Sequence, residues 1–346
     1  MTELSKVVQL DSSNEEWSAF VASVPHANIF HHPAWLNLLA ECYGYRPFIL
    51  ALFDDEEHLC AGLPTMEVNS LLTGKRWVSL PFTDHCQPLY RGSNALERLS
   101  REIAYLSNDK STPRMEVRWE LPACSSIRNV SYHVQHVLRL NSNVDSVSKV
   151  FHRTQRQNIK TAEKNGVYIE WGKDLDHLRV FYRLQCLTRR RQGVPVQPWR
   201  FFELLWKSVI DKGLGFILLA HAGDRCLAAG LFLHWKQTLS YKYAASGETG
   251  QDLRPNHLLT WTAIRWGCEN GVEVLDFGRT DVGNEGLRTF KNRWGAEETP
   301  LTYSILSAGP SQPSQGRLAP VMQAIIRNSP PWVCRSAGEL LYRHFG

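Results

Sequence analysis

The sequence has no apolar run long enough to cross a bilayer, since a spanning helix needs about 18 or more predominantly apolar residues. Its first residues, MTELSKVVQLDSSNEEW, also lack the basic start and apolar core of a secretory signal. Both absences favour a cytoplasmic protein that contacts a membrane, if at all, only at its surface.

The sequence also lacks any close pairing of its eight cysteines. No two of them form a CxxC motif, and the spacing typical of zinc sites is absent. We therefore expect buried free thiols in a reducing compartment and no bound metal. The net charge of +5 suits an anionic substrate or a membrane surface without requiring nucleic acid, so no DNA partner is predicted.

A chain of 346 residues favours two domains, and the pattern of elements repeats. Residues 1–145 read as two helices, short strands and a further helix. Residues 146–308 begin with a basic helix that Gly166 ends, and then continue with helices, a hairpin, a strand, a helix and a strand. The predicted fold class is α/β (mixed α+β), with one mixed sheet flanked by helices in each half.

The remaining residues, 309–346, are predicted to form a linker and a helical tail. Residues 309–318 are rich in Pro, Ser, Gln and Gly, as linkers are. In the tail, 318–346, arginines alternate with apolar residues, and Pro330-Pro331 divides it into two short amphipathic helices. Two interpretations stay open: the helices pack on the body of the protein, or they make peripheral contact with an anionic membrane face.

Several segments resemble the FemAB-like branch of the GNAT superfamily, including members associated with exopolysaccharide loci and with PEP-CTERM proteins. The resemblance covers roughly residues 25–308 and depends on the order and spacing of six motifs. These are NIFHHPAWL (28–36), SLPFTDHCQPL (79–89), RQNIKTAEKNG (156–166), RPNHLLTW (254–261), VLDFGRT (274–280) and TFKNRWG (289–295).

The resemblance implies a tandem GNAT-like fold and transfer of an acyl group to an amine. No tightly bound cofactor is expected, because the donor is a co-substrate, either acyl-CoA or aminoacyl-tRNA. The leading hypothesis is an N-acyltransferase that uses acyl-CoA on an amine of a cell-envelope or polysaccharide precursor. The alternative is a tRNA-dependent aminoacyltransferase of the Fem type acting on a peptidoglycan precursor, and only this alternative involves tRNA. A non-catalytic binding module is a third hypothesis.

One departure from the superfamily bears on the donor. Where GNAT enzymes carry a glycine-containing loop that cradles a pyrophosphate, this chain has Arg254-Pro255-Asn256-His257-Leu258-Leu259, without glycine. Close approach of a backbone to a pyrophosphate usually requires glycine. Arg254, Asn256 and His257 are nevertheless the candidates for binding the donor, since they stand at a predicted helix start. Asn256 is equally well explained as a helix cap.

Two cations are the main candidates for catalysis and substrate binding. Acyl transfer requires stabilisation of a tetrahedral oxyanion, and the resemblance places an active-site lysine at Lys291. Arg279 follows a predicted strand end and could clamp a phosphate or carboxylate, with Asp281 beside it. The alternatives are a solvated lysine and an ion pair of Arg279 with Asp276 or Asp281.

Further candidates come from other parts of the chain. Asp84 and His85 could supply a base for the acceptor amine, or form a polar turn. Tyr241 and Tyr243 alternate along a strand and could line an acyl channel, or belong to the core. Arg156 belongs to a basic helical stripe that binds an anionic substrate or is simply solvated.

Overall fold

The structure, a computed structural model, describes residues 7–92, 94–307 and 319–344. The chain divides into two compact units. Among the described residues, unit 1 contains 7–133, 300–307 and 343–344, and unit 2 contains 134–299 and 319–342. The predicted linker at 309–318 lies outside the described residues, and the domain limits inferred from the sequence stay a prediction.

Unit 1 consists of helices around a mixed sheet. Its helices are α1 (Glu15–Ser23), α2 (Pro33–Tyr43) and α3 (Ala95–Ser107). Its strands are β1 (Val8–Asp11), β2 (Arg46–Phe53), β3 (Leu59–Ser70), β4 (Gly74–Val78), β5 (Leu89–Tyr90) and β6 (Arg114–Val117). Two further strands, β7 (Ile127–Arg139) and β13 (Glu297–Leu306), each belong partly to unit 1 and partly to unit 2.

Unit 2 holds the remaining elements. Its strands are β8 (Tyr168–Trp171), β9 (Gly215–Ala222), β10 (Arg225–Trp235), β11 (Thr238–Ser246) and β12 (Val274–Asp281). Its helices are α4 (Val144–Lys149), α5 (Arg153–Lys164), α6 (Leu175–Gln192), α7 (Trp199–Leu205), α8 (Pro255–Glu269), α9 (Glu285–Asn292), α10 (Ala319–Asn328) and α11 (Pro331–Leu341).

The two units share one sheet topology. In unit 1, β1 to β4 pair antiparallel in chain order, and β4 then pairs parallel with β6 after a crossover through α3. In unit 2, β8 to β11 pair antiparallel in chain order, and β11 pairs parallel with β12 after a crossover through α8. Parallel neighbours require such a crossover, usually a helix. The mixed α/β architecture predicted from the repeated element order is therefore confirmed.

Local signals in the sequence explain where the helices of unit 2 begin and end. The carboxylate of Asp174 caps α6 by accepting hydrogen bonds from the amides of Asp176 and His177, and Gly193 ends the helix in the left-handed conformation. Pro255 stands in the first turn of α8, where a missing N–H costs nothing. The apolar face of α8, including Leu259 and Ala263, is fully buried in the core of unit 2.

The tail packs on unit 2. The Cys334 thiol donates to the carbonyl of Val194 at 3.4 Å, and the Glu339 carboxylate accepts from the Trp199 amide at 3.1 Å. Gly338 lies so close to unit 2 that an added Cβ would stand 1.8 Å from the Val196 carbonyl oxygen. The tail helices therefore pack on the rest of unit 2, and contact of the tail with an anionic membrane face stays a prediction. Within the described residues, no helix combines the length and the apolar character required to cross a bilayer.

We expect Gly338→Ala to loosen the tail, because its methyl group would collide with the Val196 backbone, which cannot rotate away as a side chain can. Overpacking of this kind costs about 1–3 kcal/mol. Limited proteolysis should then cut within residues 319–344 faster than in the wild type. Gly283→Ala is the control, because an added Cβ there meets nothing within 4 Å. Equal protection of the tail in both variants would contradict the close packing.

Candidate active site

The parallel strands β11 and β12 part within unit 2. Their pairing covers only Thr238–Ser240 against Val274–Asp276, although β11 continues to Ser246 and β12 to Asp281. Beyond the last pair, the backbone groups of the two strands no longer bond to each other. Strand ends that separate in this way leave a recess in which side chains and backbone groups can meet a ligand.

Two buried hydroxyl groups lie on these strands, one on β11 and one on β12. Ser240 Oγ and Thr280 Oγ1 are buried, and neither has a hydrogen-bond partner among the described residues. Buried polar groups are nearly always hydrogen-bonded, so unpaired ones indicate a water or a ligand. Neither residue was predicted as a site residue, and their only signal in the sequence is their position on strands that lead into predicted functional segments.

A β-bulge separates the two tyrosines of β11. Leu231 pairs with Tyr243 and Phe232 with Tyr241, so Lys242 is the extra residue. Tyr241 stacks on Phe232 with 4.3 Å between ring centroids, whereas the Tyr243 hydroxyl accepts from Gln197 Nε2 at 3.0 Å. The Tyr241 ring therefore packs against Phe232 of β10, whereas the Tyr243 hydroxyl contacts Gln197. The prediction that both phenols share one face of the strand assumed strict alternation, and the bulge breaks that alternation.

Lys291 is buried at the end of α9. Its side chain is 4% exposed, and Nζ donates to the carbonyls of Gly278 at 2.8 Å and Arg279 at 3.4 Å. The alternative of a solvated lysine is therefore wrong. The carbonyl that Lys291 contacts belongs to Gly278, whose backbone has φ of +68°. Glycine adopts this left-handed conformation more readily than other residues do. The structure thus brings Lys291 to the backbone of Arg279, the other predicted cation, whose side chain is exposed.

Asp276 stabilises the same strand end. Its buried carboxylate accepts from the Gly278 amide at 2.7 Å and from Gln135 Nε2 at 3.1 Å. Gln135 lies on β7 and was not predicted, since nothing in its local sequence distinguishes it. The carboxylate and the lysine together hold the backbone at Gly278 from both sides.

A second polar cluster lies beside Lys291. His136 is fully buried, and its Nε2 lies 3.0 Å from the Glu298 carboxylate, which also receives two hydrogen bonds from Arg288 at 2.7 and 3.0 Å. The Arg288 bonds outweigh desolvation and lower the pKa of Glu298 to about 2. Burial, followed by the positive charge of Lys291, lowers the pKa of His136. These residues were missed because they lie far apart in the sequence.

The start of α8 contributes three of the predicted residues. Arg254 adopts the left-handed conformation with φ of +61° and forms the N-cap without a side-chain bond, so the interpretation of Asn256 as the cap is wrong. Asn256 Nδ2 instead donates to Gln251 at 3.0 Å. Burial, with a smaller effect of Arg254, lowers the pKa of His257 to about 4. The His257 ring lies 5.6 Å from that of Phe290 on α9.

Backbone amides around this helix start bond within their own segment. The amides of Leu253, Arg254 and His257 donate to the carbonyls of Gly250, Gln251 and Arg254, respectively. Pro255, the first helical residue, has no amide hydrogen. The segment therefore offers few of the outward amides that form an anion cradle at a helix N-terminus.

Two other predicted residues, Arg156 and Asp281, occupy the surface of unit 2. Arg156 Nη1 donates to the carbonyls of Ser148 and Lys149 at the end of α4 and, at 2.6 Å, to that of Phe151, which gives its guanidinium a structural role. Asp281 is exposed at the end of β12.

Among the described residues, no group of three or more His, Cys, Asp or Glu side chains is arranged to hold a metal ion.

Asp84 and His85 lie in unit 1, in the segment between β4 and α3. Leu80 and Phe82 precede them with φ of +61° and +58°, a conformation that bulky residues rarely adopt. Arg118 Nη1 donates to the Thr83 carbonyl at 2.8 Å, and His85 is buried with its ring edge against Phe30. This segment holds the same place in unit 1 that the segment before α8 holds in unit 2.

Comparison with known proteins agrees with this geometry. Residues 149–292 match the acetyltransferase (GNAT) domain family. The predicted resemblance to FemAB-like proteins of the GNAT superfamily, and the tandem GNAT-like fold that it implies, are confirmed. The comparisons support a transferase of this type.

Particular relatives make the likeness more specific. Over 375 aligned residues the chain is 20% identical to the lipid II:glycine glycyltransferase of Staphylococcus aureus (strain COL), with 82% of this chain and 88% of that protein covered. The crystal structure of FemX aligns with a TM-score of 0.64 at 16% identity, covering 92% of this chain and all of FemX. L-PGS from Bacillus licheniformis aligns with a TM-score of 0.56 at 12% identity, covering 94% of this chain and all of that one.

We expect Lys291→Met to lower turnover about 100- to 1000-fold, the usual loss when one donor to a developing oxyanion is removed. Because the lysine is buried and bonded to the Gly278 carbonyl, the free energy of unfolding should also fall, by about 1–3 kcal/mol. Turnover and urea denaturation would be measured on the same preparations. The control is Arg293→Met, which removes an exposed cation two residues away. Wild-type turnover in Lys291→Met would exclude the predicted role.

The pKa of His136 provides a separate check of the cluster. A folded-state pKa below the unfolded value near 6.5 means that the fold favours the neutral imidazole. The contribution of neutral His136 to the free energy of unfolding is therefore fully present above a pH of about 6.5. It is lost as the pH falls through the folded-state pKa of His136. Because the charge of Lys291 is one cause of the shift, Lys291→Met should raise the pKa of His136 in an imidazole NMR titration. An unchanged pKa would show that the two groups are not coupled.

Proposed function

We propose that this chain is a Fem-type transferase that moves an aminoacyl group from aminoacyl-tRNA to an amine of a peptidoglycan precursor. The proposal adopts the alternative raised by the sequence in place of the acyl-CoA-dependent N-acyltransferase. Support for the acceptor comes from the lipid II:glycine glycyltransferases, which cover most of the chain at low identity.

The observation that carries the choice of donor is the start of α8. Three amides around it bond within their own segment, and Pro255 has no amide hydrogen to offer. In addition, Arg254 holds a left-handed conformation where a glycine would be expected in a pyrophosphate-binding loop. An acyl-CoA donor would have to bind its pyrophosphate without this cradle, whereas an aminoacyl-tRNA carries no pyrophosphate at the equivalent position.

The proposed reaction is direct transfer in a ternary complex. The neutral acceptor amine attacks the ester carbonyl of the aminoacyl-tRNA, a C–N bond forms, and the ester C–O bond breaks. The terminal ribose hydroxyl of the tRNA leaves and takes up a proton, so that an amide and a free tRNA result. Lys291 supplies positive charge in a largely dry setting, where its effect on an oxyanion is greater than in water.

Label transfer separates the donors. The purified chain would be incubated with a lipid-linked or nucleotide-linked muramyl pentapeptide and either mixed radiolabelled aminoacyl-tRNAs or radiolabelled acetyl-CoA. We expect label to reach the pentapeptide from aminoacyl-tRNA, and treatment of the donor with RNase to abolish that transfer. Lys291→Met should reduce it, and Arg293→Met should not.

Two other outcomes would contradict the proposal. Transfer from acetyl-CoA that survives RNase would restore the acyl-CoA-dependent N-acyltransferase, with an envelope or polysaccharide amine as acceptor. Binding of the precursor without transfer from either donor would indicate the non-catalytic binding module.

A further inference from the structure

A cationic depression lies on unit 2, away from the parted strands. Its volume is about 560 Å³, and its walls come from α6, from Trp199 at the start of α7, and from α11 of the tail. Three arginines line it: Arg179 and Arg183, one helical turn apart on α6, and Arg335 on α11. The tail therefore contributes one wall of the depression.

Aromatic rings form the floor of this depression. The Tyr182 ring lies 5.1 Å from that of Trp199, and the Arg335 guanidinium stands 5.7 Å above Tyr182. A cation over a ring face is held in place by the ring quadrupole. Arg335 is therefore positioned, while its N–H groups stay on an exposed side chain.

The charges on the depression do not cancel. Asp176, its one lining acid, forms an ion pair with Arg179. On α11, the Glu339 carboxylate accepts a hydrogen bond from the Trp199 amide. Arg183 has no hydrogen bond or ion pair with any described residue. The depression keeps a net positive charge, because its three arginines outnumber the carboxylates of Asp176 and Glu339.

The helix that supplies Arg335 also presents apolar side chains to solvent. Trp332 is 65% exposed and Leu340 is 69% exposed, whereas Cys334 and Gly338 on the opposite face are buried against unit 2. Ile325 of α10 is exposed as well. A tryptophan one helical turn from an arginine, with further exposed aliphatic side chains on the same helix, is typical of helices that lie in the plane of a membrane interface.

We propose that this surface, formed by Arg179, Arg183, Arg335, Trp332 and Leu340, docks the protein on an anionic phospholipid bilayer. The arginines bind lipid phosphates through paired N–H groups, and Trp332 and Leu340 enter the boundary between headgroups and acyl chains. The occupant is a lipid surface because charge complementarity and exposed apolar area occur together on one helix. The inference does not depend on the proposed function, since it concerns binding to vesicles without substrate.

Cosedimentation of the full chain with vesicles tests this surface. We expect binding to vesicles of phosphatidylglycerol mixed with phosphatidylcholine, weak binding to pure phosphatidylcholine, and weaker binding as salt rises. The double variant Arg183→Gln with Arg335→Gln should bind about 30-fold more weakly, since each basic residue near an anionic surface contributes about a fivefold gain. Leu340→Ser should lose about tenfold.

Matched control variants test whether vesicle binding depends on this surface in particular. The alternative is that it depends on the total charge and exposed apolar area of the protein. Lys212→Gln with Arg293→Gln removes two exposed charges from other parts of unit 2, and Leu71→Ser removes a side chain that is 96% exposed in unit 1. Both should bind like the wild type, and melting temperatures would verify that every variant is folded. An equal loss in the controls, or no binding of the wild type, would overturn the proposal. Displacement by inorganic phosphate at matched ionic strength would also overturn it, because the depression would then be a site for a soluble anion.

Discussion

The hydrogen bond from Lys291 to the Gly278 carbonyl connects the helix α9 to the end of β12, and the candidate site depends on it. A buried ammonium is costly unless its donors are satisfied, so this contact fixes where α9 can lie. Phe290 and Trp294, on either side of the lysine, then pack beside His257 at the start of α8. The parted strands, the start of α8 and the cation are therefore positioned by one set of contacts.

Much of the fold could be predicted because its signals are local. Gly44 and Gly193 end helices in the left-handed conformation, and a tight turn joins β9 to β10, so these elements follow from neighbouring residues. The repeated order of elements further indicated two copies of one topology. The packing of the tail could not be derived in this way, because it depends on Gly338 meeting the backbone of Val196, more than a hundred positions earlier in the chain.

The site was predictable only where a motif carried it. Lys291 and Arg279 follow recognisable segments, but the burial of the lysine depends on Gly278, Asp276 and Gln135, which come from two strands. The division of Tyr241 from Tyr243 results from a bulge, and a bulge is set by pairing with the neighbouring strand. Arg156 belongs to a basic stripe, yet its guanidinium closes the end of α4. The periodicity of a sequence predicts which residues lie on the same face of a helix or strand. It does not predict which residues from other elements those side chains contact.

The two segments that hold equivalent places in the units differ in how their backbones are held. Before α8, hydrogen bonds within the segment hold it, and Arg254 is its one described residue other than glycine with positive φ. Before α3, Leu80 and Phe82 both have positive φ, at a cost of about 1–3 kcal/mol each. Such strain persists only where the surroundings enforce it, and here Arg118 bonds to the Thr83 carbonyl while Trp35 bonds to the Thr83 hydroxyl. Strain of this kind clusters at functional sites, so Asp84 and His85, which this segment carries, stay predicted site residues.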